Sequence, residues 1–438
     1  MKLRFFEDFD YILFFCMVVL ITMGISFIYS SGVTTAGISV SNEYVKQIVW
    51  GSTGILLMLV VAIYDYRQTR RYAKYLYIFL FLILVYTRLW GKYVNGAKSW
   101  LGIGSFGLQP SEFCKIFFIL YLAYFLENSR NENQKKRFFK AGAIMALPVC
   151  LILVQPDMGT ASAYIPIFLG MCLVAGFPLR YTAMFFFAGA FTILFTVLPI
   201  WQADIAKHTY TVISVLTNLK LRLLVIIGLG LVTIISVFGK LYFPNNKYYY
   251  WTAYVSGIFF IAMILSYGAS KVLKDYQLMR LIIYLDPQVD PLGAGWNINQ
   301  SKIAIGSGGV WGRGFLNGTQ SHYRFLPQQS TDFIFSILSE ELGFAGGTLV
   351  FSLYFVIFLR CIYIMRVIKN EYGYYIATGI LSLFFYHFII NVGMVMGIMP
   401  ITGIPLLFLS YGGSSLWTAM SCIGLLMSIN YRKMDFAE

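Results

Sequence analysis

The chain has 438 residues, 58% of them hydrophobic and 12% charged, with a formal net charge of +14. Soluble domains carry about 25% charged residues, so this composition, with a mean hydropathy of +0.71, excludes an ordinary soluble enzyme. The basic balance does not indicate nucleic acid, because the cations fall in short loops between apolar stretches, as the charge bias of membrane loops requires.

Twelve apolar stretches are long enough to span a bilayer. In chain order they lie near 11–30, 47–64, 74–91, 110–127, 139–155, 159–177, 182–200, 221–239, 251–269, 332–364, 375–397 and 404–430. Lys2 and Arg4 precede the first, which is too long for a signal-peptide core and lacks a small-residue cleavage site, so it reads as a span. The tenth and twelfth are long enough to hold a break or a half-helix. The predicted architecture is an all-α polytopic membrane protein with one helical domain over 1–438. The six cysteines (Cys16, Cys114, Cys150, Cys172, Cys361 and Cys422) lie in or at the ends of these stretches without metal or CxxC spacing, and read as small lipid-buried hydrophobes.

One set of loops holds Arg67, Arg70, Arg71 and Lys74, then Arg130, Lys135, Lys136, Arg137 and Lys140, then Arg360, Arg366, Lys369, Arg432 and Lys433. The opposite loops are poorer in Lys and Arg, so both termini are predicted cytoplasmic. Two regions on the outer side are too long to be plain turns: 92–110 and 270–331. Loops of that length in a compact protein are usually functional or disordered. The second keeps apolar residues such as Ile303, Ile305, Val310 and Phe315, and is expected to be ordered, with short helices against the membrane surface.

Charges at span edges are costly in lipid and tend to be functional. The run Gln109-Pro110-Ser111-Glu112-Phe113-Cys114-Lys115 opens the fourth span with a helix-start pattern. Glu112 and Lys115, at i,i+3, share a face. The outward helix N-terminus suits an anion such as phosphate; the plainer alternative is a start signal with a local ion pair. Asp157, in Gln155-Pro156-Asp157-Met158-Gly159-Thr160, is either a functional carboxylate or a helix cap. The long outer loop contains Arg280, Asp286-Pro287, Asp290-Pro291 and Gln300-Ser301-Lys302. Its run Gly306-Ser307-Gly308-Gly309, followed by Gly312 and Gly314, is either a cradle of amides for a pyrophosphate or a glycine-rich turn near the bilayer. It matches neither a P-loop nor a dinucleotide fingerprint. Asp332 stands where the chain re-enters the membrane, as a cap or a reactive carboxylate. Glu340 and Glu341, about two turns on, should face the bundle interior. His208, His322 and His387 show no zinc spacing and suggest no Ser-His-Asp set.

Five motifs in order resemble the SEDS proteins (shape, elongation, division and sporulation). They are Asn95-Gly96-Ala97-Lys98-Ser99-Trp100 with Leu108-Gln109-Pro110-Ser111-Glu112; Gln155 to Thr160; the loop from Asp286 to Gly314; Ser330-Thr331-Asp332-Phe333-Ile334-Phe335; and a C-terminal signature. That signature runs from Asn391-Val392-Gly393-Met394 through Met399-Pro400-Ile401-Thr402-Gly403-Ile404-Pro405 to Ser410-Tyr411-Gly412-Gly413-Ser414-Ser415. Gly318-Thr319-Gln320-Ser321 and the Thr402–Pro405 run resemble the elongation branch rather than the division branch. Two features depart from the family. It usually has ten spans, so residues about 205–270 look like an inserted pair. It also often places an acidic residue and a histidine before the key aspartate, where this chain has Gln328 and Ser330.

The resemblance implies a peptidoglycan glycosyltransferase of the bacterial inner membrane, polymerising lipid II on the outer face during elongation. The 4-hydroxyl of one lipid II attacks the anomeric carbon of another with inversion, and undecaprenyl pyrophosphate leaves. Asp332 is the expected general base. Lys115, held by Glu112, is expected to pair with Asp332 or to contact pyrophosphate. Arg280, Lys302 and Arg313 are expected phosphate contacts, and Trp100 a packing residue at the cavity edge. Gln109, Ser111, Asp157, Gln320 and Ser321 complete the expected substrate site. A divalent cation such as Mg or Mn could bridge pyrophosphate oxygens, although no sequence cluster specifies one. A class B penicillin-binding protein is the implied partner, and the inserted pair could add a surface for it. The rival readings are a flippase or transporter for the same lipid, and a non-catalytic scaffold. No internal symmetry of the transporter kind is visible.

Overall fold

The computed structural model describes residues 9–34, 37–94, 97–103, 106–208, 210–272, 275–291 and 293–432. Lys2, Arg4, Asn95, Gly96 and Lys433, used in the sequence reading, lie outside them. The chain forms two compact units, residues 1–176 with 297–438, and 177–296.

In the first unit, α1 (Tyr11–Ser31), α2 (Glu43–Ile63) and α3 (Tyr66–Trp90) lead into three short strands. These are β1 (Lys92–Val94), β2 (Ala97–Ile103) and β3 (Phe106–Leu108), antiparallel in that order, with Lys92 opposite Trp100 and Leu101 opposite Leu108. The sheet is a local addition to the helical architecture, confined to residues 92–108. Then follow α4 (Pro110–Asn128), α5 (Gln134–Val154) and α6 (Met158–Val174). The second unit holds α7 (Leu179–Trp201), α8 (Thr211–Thr217), α9 (Leu219–Tyr242), α10 (Lys247–Val272) and α11 (Asp275–Leu285), and so covers the stretch about 205–270 that the resemblance marks as an inserted pair. The first unit resumes within α12 (Ala294–Ser307) and continues with the single turn α13 (Thr319–His322), α14 (Ile334–Val367), α15 (Glu371–Val395) and α16 (Gly413–Tyr431).

Twelve of these helices follow the twelve predicted spans. Among the described residues nine are long and apolar enough to cross a membrane by length and composition: α1, α2, α3, α5, α7, α9, α10, α14 and α15. Helix α6 is shorter, α4 buries Glu112 and Lys115, and α16 buries Ser414, Thr418, Ser428 and Asn430. The polar groups of these three turn inward rather than toward lipid, as membrane burial demands.

Hydrogen bonds and ion pairs gather the helix ends of the first unit. At one end Arg360 grips Asp10, the N-cap of α1, with contacts of 2.7 and 3.0 Å. Arg70 meets Glu127 at 3.0 Å, Arg130 pairs with Glu371, and Arg432 lies 3.5 Å from Asp65. Buried Arg137 donates to the Leu126 and Ala175 carbonyls and to Ser129 Oγ, closing exposed helix ends. These are the loops whose cations set the predicted orientation. The opposite end carries the sheet and the long connections.

The tenth span is indeed broken. Helix α14 is interrupted at Gly343, with φ 65° and ψ −158°, a region open essentially to glycine alone. The glycine run before it repairs the gap. Arg313 N donates to Glu340 O and Gly314 N to Glu341 O, while Phe344 N and Ala345 N donate to Gly309 O and Val310 O. Amides and carbonyls of the loop therefore splice a broken helix, which gives the run a structural role as a glycine-rich turn. A Cβ on residue 343 would stand 2.3 Å from Gly312 N. Gly343→Ala is expected to lower the melting temperature of the detergent-purified protein, since the conformation alone costs about 1–3 kcal/mol in a non-glycine residue; an unchanged melting curve would refute the splice.

Candidate functional site

Most of the predicted site residues of the first unit meet where loop 396–412 crosses the ends of α4, α6 and α15. That loop is held from several directions. Asn391 Nδ2 donates to Ile404 O at 2.8 Å, and Gln47 Nε2 to Ser410 O at 3.1 Å. Tyr354 donates its hydroxyl to Leu407 O, and His387 Nδ1 lies 3.0 Å from Pro405 O. The backbone also presses on α6: a Cβ on Gly159 would come within 2.6 Å of Thr402 O.

Asp332 ends a tight turn. The amides of Thr331, Asp332 and Phe333 all converge on the carbonyl of Gln328, which itself adopts φ 50°. Asn391 Nδ2 also donates to Asp332 O at 2.9 Å, and Tyr411 N donates to Ser330 O at 2.8 Å. One asparagine thus ties the Asp332 backbone to loop 396–412. The Asp332 side chain is half-buried.

Gln109 and Asp157 meet directly, as Gln109 Nε2 donates to Asp157 Oδ2 at 2.7 Å. Asp157 is also the N-cap of α6, accepting from Thr160 N at 3.1 Å and from Thr160 Oγ1 at 2.9 Å. The cap reading of this aspartate therefore holds, and the same carboxylate makes a polar contact between the start of α4 and α6. Gln109 N donates to Ser414 Oγ at 2.8 Å, which anchors the first turn of α16.

The opening turn of α4 is closed in. Pro110, Ser111 and Glu112 are buried, so the predicted anion-binding N-terminus faces protein. Lys115 Nζ lies 2.8 Å from Glu112 Oε1, and the pair is 1% and 4% exposed. The i,i+3 pair is thus real. Its third member was not foreseen: His387 Nε2 lies 3.2 Å from Lys115 Nζ. His387 had been set aside for lacking zinc spacing. The usable signal was an ionisable residue inside an apolar span, which by itself marks a functional candidate.

Elsewhere, Glu340 and Glu341 are fully buried, as expected, and hold the loop before them. Glu340 Oε1 accepts from Thr319 N, Thr319 Oγ1 and Gln320 N at 2.7–2.9 Å. Glu341 accepts from Leu316 N and from Ser30 Oγ. Arg313, Gln320 and Ser321 belong to this neighbourhood: Arg313 is exposed and donates to Thr319 Oγ1 at 2.9 Å, while Ser321 is buried. Exposed Lys302 runs along Gly397 beside the loop. Trp100 covers Gly107 across the sheet. Arg280 lies on α11 of the second unit. No group of three or more His, Cys, Asp or Glu side chains that could hold a metal ion occurs among the described residues.

Comparison with known proteins bears on this geometry. The FtsW/RodA/SpoVE family, described as cell cycle proteins, matches residues 10–220 and 206–435. The peptidoglycan glycosyltransferase RodA of Treponema pallidum is 55% identical over 438 residues, covering 99% of this chain and 100% of that protein. The peptidoglycan glycosyltransferase MrdB of Escherichia coli K12 is 34% identical over 87% of this chain and 84% of its own. Among solved structures, a chain of a peptidoglycan synthase complex superposes with a TM-score of 0.68 at 22% identity, covering 98% and 99% of the two chains. The rod shape determining protein RodA of Thermus thermophilus gives 0.61 at 20% identity, covering 98% of each. At these identities the structures establish the polytopic helical fold.

Proposed function

The chain belongs to the FtsW/RodA/SpoVE family of cell cycle proteins, and from that premise we propose that it is a peptidoglycan glycosyltransferase that polymerises lipid II into glycan strands during cell elongation. Full-length identity of 55% to a protein of that activity supports the reaction class. The observation that carries the site assignment is the convergence of Asp332, the Gln109–Asp157 contact and the Glu112–Lys115 pair around loop 396–412.

Asp332 takes the proton from the attacking 4-hydroxyl as the new glycosidic bond forms. The bond from the anomeric carbon to the pyrophosphate oxygen breaks, and undecaprenyl pyrophosphate leaves with the electron pair. Pyrophosphate is a good leaving group, so the second need is positive charge rather than a strong acid. Lys302 and Arg313, whose exposure supports a role in substrate entry, contribute that charge to the phosphates. Lys115 is enclosed, so its contact with a phosphate requires the surrounding loop to open. A divalent cation such as Mg or Mn would arrive with the phosphates, because the described residues offer no ready-made cage; no step above depends on one.

The loops rich in Lys and Arg support a cytoplasmic placement of both termini, with the site on the outer face of the bacterial inner membrane. The partner is a class B penicillin-binding protein, a reading supported by the fold shared with a chain of a peptidoglycan synthase complex. The test is purified protein with lipid II, with and without that partner, resolved as glycan strands by electrophoresis. Strands of graded length are expected. Lipid movement across proteoliposomes without strand formation would overturn the reading in favour of a transporter.

A further inference from the structure

The cluster of Glu112, Lys115 and His387 has a hydrogen-bond logic that assigns each proton. A carbonyl can only accept, so His387 Nδ1, 3.0 Å from Pro405 O, carries the hydrogen. An ammonium can only donate, so His387 Nε2, 3.2 Å from Lys115 Nζ, presents its lone pair. The imidazole is therefore the neutral Nδ1–H tautomer. It touches the lysine on one side and loop 396–412 on the other. Histidine 387 is 1% exposed and Lys115 likewise 1%, so neither contact is shared with bulk water.

Lysine 115 is thus held by one charged and one neutral acceptor, from two helices. Glu112 sits one turn before it on α4 and bears on it along that helix. His387 approaches from α15, the helix that also carries Asn391 one turn further on. Asn391 grips Asp332 O and Ile404 O, and His387 grips Pro405 O, the next carbonyl in the chain. One face of α15 therefore registers the Asp332 turn, loop 396–412 and the Lys115 ammonium against each other.

We propose that His387 is a positioning residue for glycosyl transfer: as a neutral acceptor at Nε2 it aims the Lys115 ammonium. This rests on the glycosyltransferase reading and adds to it a residue that acts through Lys115 without touching substrate.

Two substitutions separate the two nitrogens. A glutamine places its amide oxygen where Nε2 stands and keeps the acceptor for Lys115. An asparagine places its amide N–H where Nδ1 stands and keeps the bond to Pro405 O. In the lipid II assay with the full-length protein, His387→Asn is expected to lose roughly tenfold to a hundredfold in kcat, the scale of a misplaced catalytic group. Its KM is expected to change by less than about twofold, because the lost contact serves the transition state. His387→Gln is expected to stay within about threefold of the wild type in kcat. A purely structural histidine would give the opposite order, since asparagine preserves the tie to the loop. Wild-type kcat from His387→Asn, or equal losses from both variants, overturns the proposal. A thermal double-mutant cycle of Lys115→Met with His387→Asn reads the contact without activity. Non-additive melting shifts are expected, and additive shifts overturn the link. Should the wild type form no strands, the glycosyltransferase reading falls, while the cycle still decides whether His387 holds Lys115.

Discussion

Asp332→Asn is expected to abolish strand formation, lowering turnover by about 100- to 10,000-fold, the usual contribution of a positioned general base. The substitution is clean for a structural reason. Asn391 holds the carbonyl of Asp332 rather than its carboxylate, and the Asp332 amide is fixed on Gln328 O. The turn is therefore anchored through its backbone, and an amide of the same shape can occupy it. The melting temperature should change far less than turnover, because the replacement keeps the shape of the side chain and the backbone anchors of the turn. Strands of wild-type length and rate from this variant would remove Asp332 from the mechanism.

The largest expected effect on stability belongs to Lys115→Met. Removing one member of a buried ion pair typically costs about 3–5 kcal/mol, because the other charge is left without compensation. Here the stranded group is Glu112, whose Oε2 makes no hydrogen bond among the described residues and whose Oε1 would lose its ammonium partner. A marked fall in melting temperature and in yield of folded protein should follow. The double variant Glu112→Gln with Lys115→Met removes the stranded charge and should recover much of the melting temperature. It should not recover polymerisation, because the cation is still missing. A single variant that melts like the wild type would show that the pair does not hold α4 in place.

The bundle was legible in the sequence because span length and apolar content are local properties: each predicted stretch is matched by a helix, and the break in the tenth span is at Gly343. The sheet was less visible. Its signal was present in Asn95-Gly96, a dipeptide that favours tight hairpin connections, between short runs with strand-compatible residues. The polar site was legible one residue at a time, through helix-start patterns and charges at span edges. What joins those residues was not. The contact of His387 with Lys115 spans 272 positions, and that of Ser30 with Glu341 spans 311. No local pattern encodes such pairings; they follow from which helix faces meet. The glycine run was ambiguous for a related reason. Glycines allow close backbone approach to a ligand or to another stretch of the same chain, and only the position of the α14 break decides between the two.

The clasp formed by Glu340, Glu341 and the Gly343 break also implies an order of assembly. Residues 308–320 leave the ribosome before the carboxylates and carbonyls that will receive their amides. The amides of Arg313, Gly314, Leu316, Thr319 and Gln320 find their acceptors only after the first turns of α14 have been made. Ser30, in the first helix, waits longer still for Glu341. During synthesis this segment therefore cannot make these bonds until the tenth span has been made, and the clasp closes among the last steps of the chain's folding.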